Sequence, residues 1–582
     1  MIRRRPIHDP VHGAIVPSHL EWALIESAPV QRLRGIQQLG LVDLAYPGAM
    51  HTRFEHSVGT MHMAGRLSSH LGLDEGDLIR ARIAGLLHDI GHSAYSHAVE
   101  AVLSRNVDLQ PLLNGVPASG HEQFTAHILA THPFGEKALA LVEGAFGPPD
   151  AFFREIAGIV QGRPPLGWIV SGDLDADRMD FLLRDSHHAG VGLGLVDVDQ
   201  IIQALALQDG RPVLAGDGDY RFDLSLTAAE SMLIARAHHY NALVHHPRVQ
   251  SGRAMLLFAL ESVLGGFDQS EARQLVSLFF TRYNDSDLQR LLLDRGDAKV
   301  HALLERLRGG RVYPLEARFD HRTLPPGLRM ALATISRNGH MSRLFQAGLD
   351  KMYPALAQIS IGSGVPRGTR TTEGFLYDES ALAAGLVKAL TRQLTLSFFG
   401  DEPLEVDLPS VEALAKRLLS FVREESYQPI EGLMLLFYSL HRQLTQSYGE
   451  RILVPRIRNI TWIYRTISCL KEIGAGNSGG LSGLYDYSFH NEYGFPYSER
   501  LFEDIQILVA MGMIYQDQRH YHKAGRWSQR YEYMLTAEGL SYSEPIAEAY
   551  SEEAAAVERY LRIEKHNIPY DVVSLLARRY LD

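Results

Sequence analysis

The stretch from Asp77 to His88 constrains this chain most. Leu78, Ile79, Ile83, Ala84, Leu86 and Leu87 recur at helical spacing and cover most of the circumference. A helix apolar nearly all round belongs inside a core of other elements. It ends in His88-Asp89, followed by Ile90-Gly91-His92 and then His97. An adjacent His-Asp pair brings an imidazole nitrogen and a carboxylate oxygen to one point. Mixed N/O donors suit Mn, Fe, Co, Ni or Zn. An isolated pair of this kind is more often a cap or a surface ion pair, so the metal reading needs further ligands.

Composition narrows the donor types. The chain has one cysteine, Cys469, and 27 histidines among 582 residues, so a metal site here is built from His and carboxylate. The lone cysteine allows no intrachain disulfide and fits a reducing compartment. The net charge of −11 disfavours a general nucleic-acid coat. The first ten residues carry three arginines with no apolar stretch behind them, and no run of 18 apolar residues occurs. The expected address is therefore the cytoplasm, without membrane contact.

Further donors are present. Upstream lies His51-Thr52-Arg53-Phe54-Glu55-His56-Ser57, and downstream Asp173-Leu174-Asp175-Ala176-Asp177-Arg178-Met179-Asp180-Phe181. Arg178, Phe181 and Asp185, spaced i, i+3, i+7, line one helical face and could wall a nucleotide. An acidic first turn with a solvated ion pair is the plainer reading of that run. Gly120-His121-Glu122-Gln123 pairs another imidazole with a carboxylate.

The chain reads as mainly α. Helical spacing extends over Leu174 to Asp185, Ser225 to Val244, Ala381 to Phe399, Glu431 to Tyr448 and Tyr497 to Met511. A β-hairpin is expected from Pro212-Val213-Leu214 to Tyr220-Arg221-Phe222, turning at Asp217-Gly218. Loop-rich seams lie at Ser363 to Glu373 and Gly474 to Pro496. After the second seam come a helix, strand-like Met513 to Gln516, a basic tip from Arg519 to Arg526, and strand-like Arg530 to Thr536. That order looks like a winged-helix unit. Winged helices bind DNA or only pack against partners. The expected division is residues 1–250 as the core, 251–473 as a helical extension completing it and making oligomer contacts, and 474–582 as the winged-helix-like α+β region.

Taken together, the strings resemble the HD-domain phosphohydrolases, and within them the deoxynucleoside triphosphate triphosphohydrolases. The matching strings are Ile7 to Gly13, Gln31 to Arg34 through Gln38-Leu39-Gly40, Arg53 to Ser57, His88 to His92, Ser96-His97, His121 to Gln123, Asp177 to Asp180, and Arg184 to His188. They keep the family's order over roughly the first 250 residues. The resemblance implies an HD-domain helical core and four metal ligands: His56, His88, Asp89 and Asp177. It implies His97 as the acid protonating the departing 5′ oxygen, with Glu100 beside it where the family usually has Asp. His92 and His121 would contact the triphosphate, with Glu122 orienting His121. Arg53, Arg178 (for a frequent Lys), Arg236 and Tyr240 would lie along the phosphates. Gln38 and Leu39 would face the sugar, with Asp185 and Phe181, the latter in place of a tyrosine. Glu26 (for Asp), Gln31 and Arg34 match an effector site for GTP or dGTP. The implied substrate is a dNTP, with Mg accompanying the nucleotide, and the implied assembly is a homo-oligomer. The implied products are a deoxynucleoside and intact triphosphate. Other readings keep the HD site but change the substrate to another nucleotide or a nucleic-acid end. A further one makes the chain a nucleotide-sensing regulatory or defence protein, with a DNA or protein partner on the C-terminal region.

Overall fold

The fold is that of a computed structural model. It describes residues 5–576 apart from 173, 193–194, 209, 215–218, 321–322, 338, 354–355, 363–392, 426, 449–452, 477–479, 491–493, 524–525, 564–568 and 570. The chain is mostly helical with small antiparallel sheets. Its described residues fall into two compact units. One takes 5–315 with 399–401, and the other takes 316–362, 393–398 and 402–576. Among the described residues no helix is long and apolar enough to cross a membrane.

The first unit opens with a short hairpin, β1 (Ile7–Asp9) and β2 (Gly13–Ile15). Its centre is α1 (Arg53–His70), packed on α2 (Glu75–Leu87). Glu55 reaches back to the Thr52 N–H at 2.6 Å to start α1, and Asp74 accepts the Asp77 N–H at 2.8 Å to start α2. Next come α3 (His97–Arg105), α4 (His121–Thr131) and α5 (Ala176–Ala189). Asp175 caps α5 through the Arg178 N–H at 2.8 Å, and Gly190 closes it at φ 68°. Then follow β3 (Leu205–Gln208), β4 (Arg211–Leu214), α6 (Asp219–His239), α7 (Gln269–Thr281) and α8 (Asp285–Arg295).

One apolar cluster joins Phe54 and Met61 of α1 to Leu86 and Leu87 of α2 and Met179 and Leu182 of α5. A second joins Val99, Phe124, Phe279 and Leu292, tying α3 and α4 to α7 and α8. Each such side chain contributes about 1.5–3 kcal/mol when buried. Gly59 lets α1 and α5 approach closely, because a Cβ there would collide with the Asp180 carboxylate.

In the second unit, β5 (Leu315–Asp320), β6 (Leu356–Gly362) and β7 (Gln393–Phe399) form a sheet in the order β5-β7-β6. The core is built around α9 (Pro429–Tyr448), whose Leu433, Leu436, Phe437 and Leu440 are fully buried. Then come β8 (Leu453–Ile457), α10 (Ile460–Gly476), α11 (Glu499–Ala510), β9 (Ile514–Lys523), β10 (Arg526–Leu535), α12 (Ala537–Ala549) and β11 (Val572–Leu576). Their sheet order is β9-β10-β8-β11.

Several expectations are corrected. Pro212 to Leu214 is in β4, but its partner is β3, Ala206 opposite Val213. Gly210 adopts the positive φ of 75° beside the turn, and Tyr220 to Phe222 start α6. The Asp217-Gly218 pair lies outside the described residues, as does the seam at 363–373. Of the helix expected over Ala381 to Phe399, residues 381–392 lie outside the described residues and the rest is strand β7. There Leu396 and Phe398 are buried at period two, and the central position in the sheet buries Thr395 and Ser397 as well. The basic segment Arg519 to Lys523 is paired strand, not loop, with Arg519 opposite Arg530.

Candidate metal and phosphate site

Four polar side chains from three places meet above the α1–α5 crossing. His56 Nε2 lies 3.2 Å from His88 Nε2, 3.0 Å from Asp177 Oδ1 and 3.8 Å from Asp89 Oδ2. His88 Nε2 lies 3.2 Å from Asp89 Oδ1 and 3.7 Å from Asp177 Oδ1. The surroundings fix both ring tautomers. His56 Nδ1 lies 2.8 Å from Asp180 Oδ2 and His88 Nδ1 lies 2.8 Å from the Gly85 carbonyl. Neither partner can donate, so each Nδ1 carries the hydrogen and each Nε2 presents its lone pair. His56, His88 and Asp177 each offer a donor atom within 4.8 Å of the others, a set that fits a divalent transition metal ion, while Asp89 stands beside them with Oδ2 held by Arg53.

The electrostatics show what such a cation competes with: the same carboxylates draw a proton onto the imidazoles, and a metal must displace it to bind. Burial opposes charging of His56, yet Asp177 and Asp180 outweigh it and raise the imidazole to about 10. Burial likewise raises Asp89, but His88, Arg53 and His56 prevail and hold it at about 2. Asp177 sits well below the carboxylate range, as His56 and His88 overcome its burial. The Asp177 side chain is 32% exposed while the other three are nearly closed off, so the cluster opens beside Asp177.

Beside it stands a second cluster. Glu100 holds two imidazoles, His97 Nδ1 at 2.7 Å and His121 Nδ1 at 2.6 Å, and also accepts the His121 N–H at 2.8 Å. His121 and His97 depress Glu100 well below the carboxylate range against the effect of burial. The carboxylate on His121 is therefore that of Glu100, not the expected Glu122. His92 stacks on His121 with centroids 3.7 Å apart and planes at 14°. Parallel stacked rings cannot both aim in-plane lone pairs at one ion, so of the four close donors His92, His97, Glu100 and His121 no more than one of the stacked pair could ligate a metal there. His97 is 60% exposed in its side chain, which puts it at the mouth. The helix ends before His88, and the loop brings His92 back to 3.4 Å from Asp89. Gly91 allows this turn, because a Cβ there would meet the backbone of His121 and Thr125.

The remaining expected residues divide. Arg53 joins the site, with Nη1 on Asp89 Oδ2 at 2.5 Å and Nε on Ser96 Oγ at 2.9 Å. Arg178 bonds to Asp175 and the Gly172 carbonyl at the start of its own helix. Asp185 was expected at a sugar hydroxyl, yet both its oxygens are engaged by His51 and His239, at 2.7 Å each. Phe181 lies against His239, ring centroids 5.5 Å apart. Gln38 Oε1 is buried without a hydrogen bond, and Leu39 packs on the small Val42–Leu243 cluster. Arg236 lies 5.8 Å from the Tyr240 ring centroid. Of the expected effector residues, Arg34 Nε donates to Gln31 Oε1 at 2.9 Å, while Glu26 pairs with Lys137 at 3.6 Å.

Sequence reasoning gave no role to Asp180, His12, Arg184 or Asp9. Asp180 accepts from His12 Nε2 at 2.6 Å as well as from His56, and Arg184 bridges Asp180 to Asp9 at 2.8 Å. The i, i+4 spacing of Asp180 and Arg184 is the signal that could have marked them.

Residues 53–180 match the HD domain, and residues 196–320 match the HD associated region. An uncharacterized protein of Methanocaldococcus jannaschii is 34% identical over 254 residues, 43% of this chain and 48% of that protein. An uncharacterized protein of Bacillus subtilis is 30% identical over 254 residues, 43% of this chain and 53% of that one. The deoxynucleoside triphosphate triphosphohydrolase SAMHD1 of Bos taurus is 32% identical over 212 residues, 32% of this chain and 36% of that enzyme. This chain thus spans about half the length of the first of these relatives.

Proposed function

We propose, from the premise that this chain carries an HD domain of the metal-dependent phosphohydrolase superfamily, that it hydrolyses deoxynucleoside triphosphates to deoxynucleoside and triphosphate. The observation that carries this reading is the convergence of His56, His88, Asp89 and Asp177 beside the Glu100-held pair of His97 and His121. The similarity to the bovine triphosphohydrolase adds the choice of substrate.

In this reading the four donors hold Mn, Fe, Co, Ni or Zn, and Mg accompanies the nucleotide. The bound ion would supply a Lewis acid and lower the pKa of water. The chain's own residues do the rest. Asp180 and the Gly85 carbonyl keep both ligand imidazoles in the binding tautomer. Arg53 fixes Asp89 and adds positive charge near the phosphates. His92 and His121 meet phosphate oxygens. Glu100 keeps hydrogen on His97 Nδ1, leaving Nε2 to bring a proton to the departing 5′ oxygen. Arg236 and Tyr240 lie further along the triphosphate, and Gln38 and Leu39 near the sugar.

A second reading keeps the chemistry and relaxes the sugar. Phe181 has no hydroxyl, and each Asp185 oxygen already meets a histidine nitrogen and keeps only its remaining lone pair, which favours a nucleotide less strictly selected through its 3′ hydroxyl. A DNA partner for the C-terminal region has weaker support. In α11 the residues Leu501, Asp504, Ile505, Ile507 and Leu508 are buried, and Arg337 pairs with Glu503 and Asp504. Such a helix is poorly suited to a major groove. A cytoplasmic homo-oligomer, with Glu26, Gln31 and Arg34 reading GTP or dGTP, completes the proposal.

The test is to incubate metal-loaded protein with each dNTP and NTP, with and without GTP, and separate the products. Deoxynucleoside and intact triphosphate are expected. Release of orthophosphate or pyrophosphate, or turnover of ribonucleotides alone, would overturn the dNTP reading. Equal rates with and without GTP or dGTP would remove the effector.

A further inference from the structure

We infer that Asp285, in the HD-associated region, is a positioning residue that clamps the loop presenting His97. The inference rests on the reading of His97 as the proton donor. The loop needs holding. Tyr95 and Ser96, the two residues before His97, have φ of 52° and 51°, a conformation that L side chains adopt only when neighbours impose it. The neighbours come from nearly two hundred residues downstream. Asp285 Oδ1 accepts the Tyr95 N–H at 2.6 Å. Its Oδ2 accepts the Gln37 N–H at 2.9 Å, and the Gln37 carbonyl accepts the Ser96 hydroxyl at 3.1 Å. The Ala94 N–H donates to the Phe279 carbonyl at 3.1 Å, so α7 supports the same loop. Arg32 closes the set, donating to the Tyr283 carbonyl at 2.8 Å and to the Ile90 and His92 carbonyls at 2.8 and 2.7 Å.

Asp285 is not needed to start its own helix. Asn284 does that, accepting the Asp287 N–H at 3.1 Å. The Asp285 carboxylate instead reaches across to two backbone N–H groups that flank the site. A carboxylate can serve both with separate oxygens, whereas an amide has one acceptor oxygen. Asp285 makes no direct contact with His56, His88, Asp89 or Asp177, and its nearest link to them runs through Ser96 and Arg53 to Asp89. Asp285 therefore acts on the geometry of His97 and leaves metal binding to others.

The experiment compares Asp285→Asn and Asp285→Ala with the parent, all as full chains. The expected result is a kcat about tenfold lower for Asn and lower still for Ala, with KM within twofold and bound metal unchanged. Amide hydrogen exchange at Gln37 and Tyr95 is expected to quicken at least tenfold in the Ala variant, with α1 and α2 unchanged. The exchange arm needs no substrate. If the parent hydrolyses no dNTP, faster local exchange still upholds the clamp while the functional reading falls. Unchanged exchange at Tyr95, or loss of metal along with kcat, would overturn the inference. Should the Ala variant fail to fold, the Asn variant is read by the same criteria.

Discussion

The two units bury charge in different ways. In the second, each buried carboxylate among the described residues is matched by an arginine: Glu431 with Arg423, Asp504 with Arg337 and Glu532 with Arg456. In the first unit the buried charge is largely histidine and aspartate, with His51, His56, His92 and His239 all enclosed. Among the described residues the second unit buries no histidine. A guanidinium has no lone pair to offer, but an imidazole fixed by one nitrogen presents the other. The arginine pairs therefore stabilise a fold, whereas the histidine clusters leave donors that ask for a ligand. The general point is that a buried charge matched by a guanidinium marks a fold contact, whereas a buried cluster of imidazoles and carboxylates marks a site.

Three substitutions break or sharpen this contrast. Asp177→Ala should have the largest effect, lowering hydrolysis about a thousandfold or more and releasing the bound metal. Metal analysis and product chromatography check it, and full metal occupancy in the variant would refute the ligand assignment. Phe437→Ala should cost the second unit about 3–5 kcal/mol, since the ring is fully buried in its core. Denaturant melts measure this, and metal stoichiometry at low denaturant should not change. A loss of metal would erase the distinction between the units.

Asp185→Asn should give the smallest effect and one dependent on pH. Burial raises Asp185, but His239 and His51 outweigh it and lower the carboxyl from 3.8 to about 2. The depressed value means the folded chain binds fewer protons than the unfolded chain between those limits. Its stabilisation, about 2 kcal/mol, is thus present above pH 3.8 and lost as the pH falls toward 2. Urea melts of parent and variant should differ by a constant amount above pH 4, and that gap should close in acid. A gap that stays constant through the acid range would show that the two histidine bonds do not hold the charged form.

Much of this was legible along the chain. Helix α2 was readable because its apolar residues recur around the circumference, and α9 and α11 because their apolar faces are long. Strand β7 was misread because the alternation of Leu394, Leu396 and Phe398 with Thr395 and Ser397, a strand signal, was absorbed into a helical reading that began at Ala381. The hairpin was displaced because Asp217-Gly218 is a strong turn signal, yet Leu205 to Gln208 offered the better strand partner. At the site, the donor residues were identifiable by type and order. The partner of His121 was not, because Glu122 is adjacent in sequence while Glu100 is adjacent in space.

The sequence by itself determined the chemical inventory: which side chains can donate to a metal, and that cysteine is not among them. Tertiary structure alone decided how each donor is spent. Asp185 is used on two histidines, Arg178 on its own helix start, and Asp285 on a loop nearly two hundred residues away. The physical reason is that a hydrogen bond depends on a few tenths of an ångström and on direction, and packing sets both.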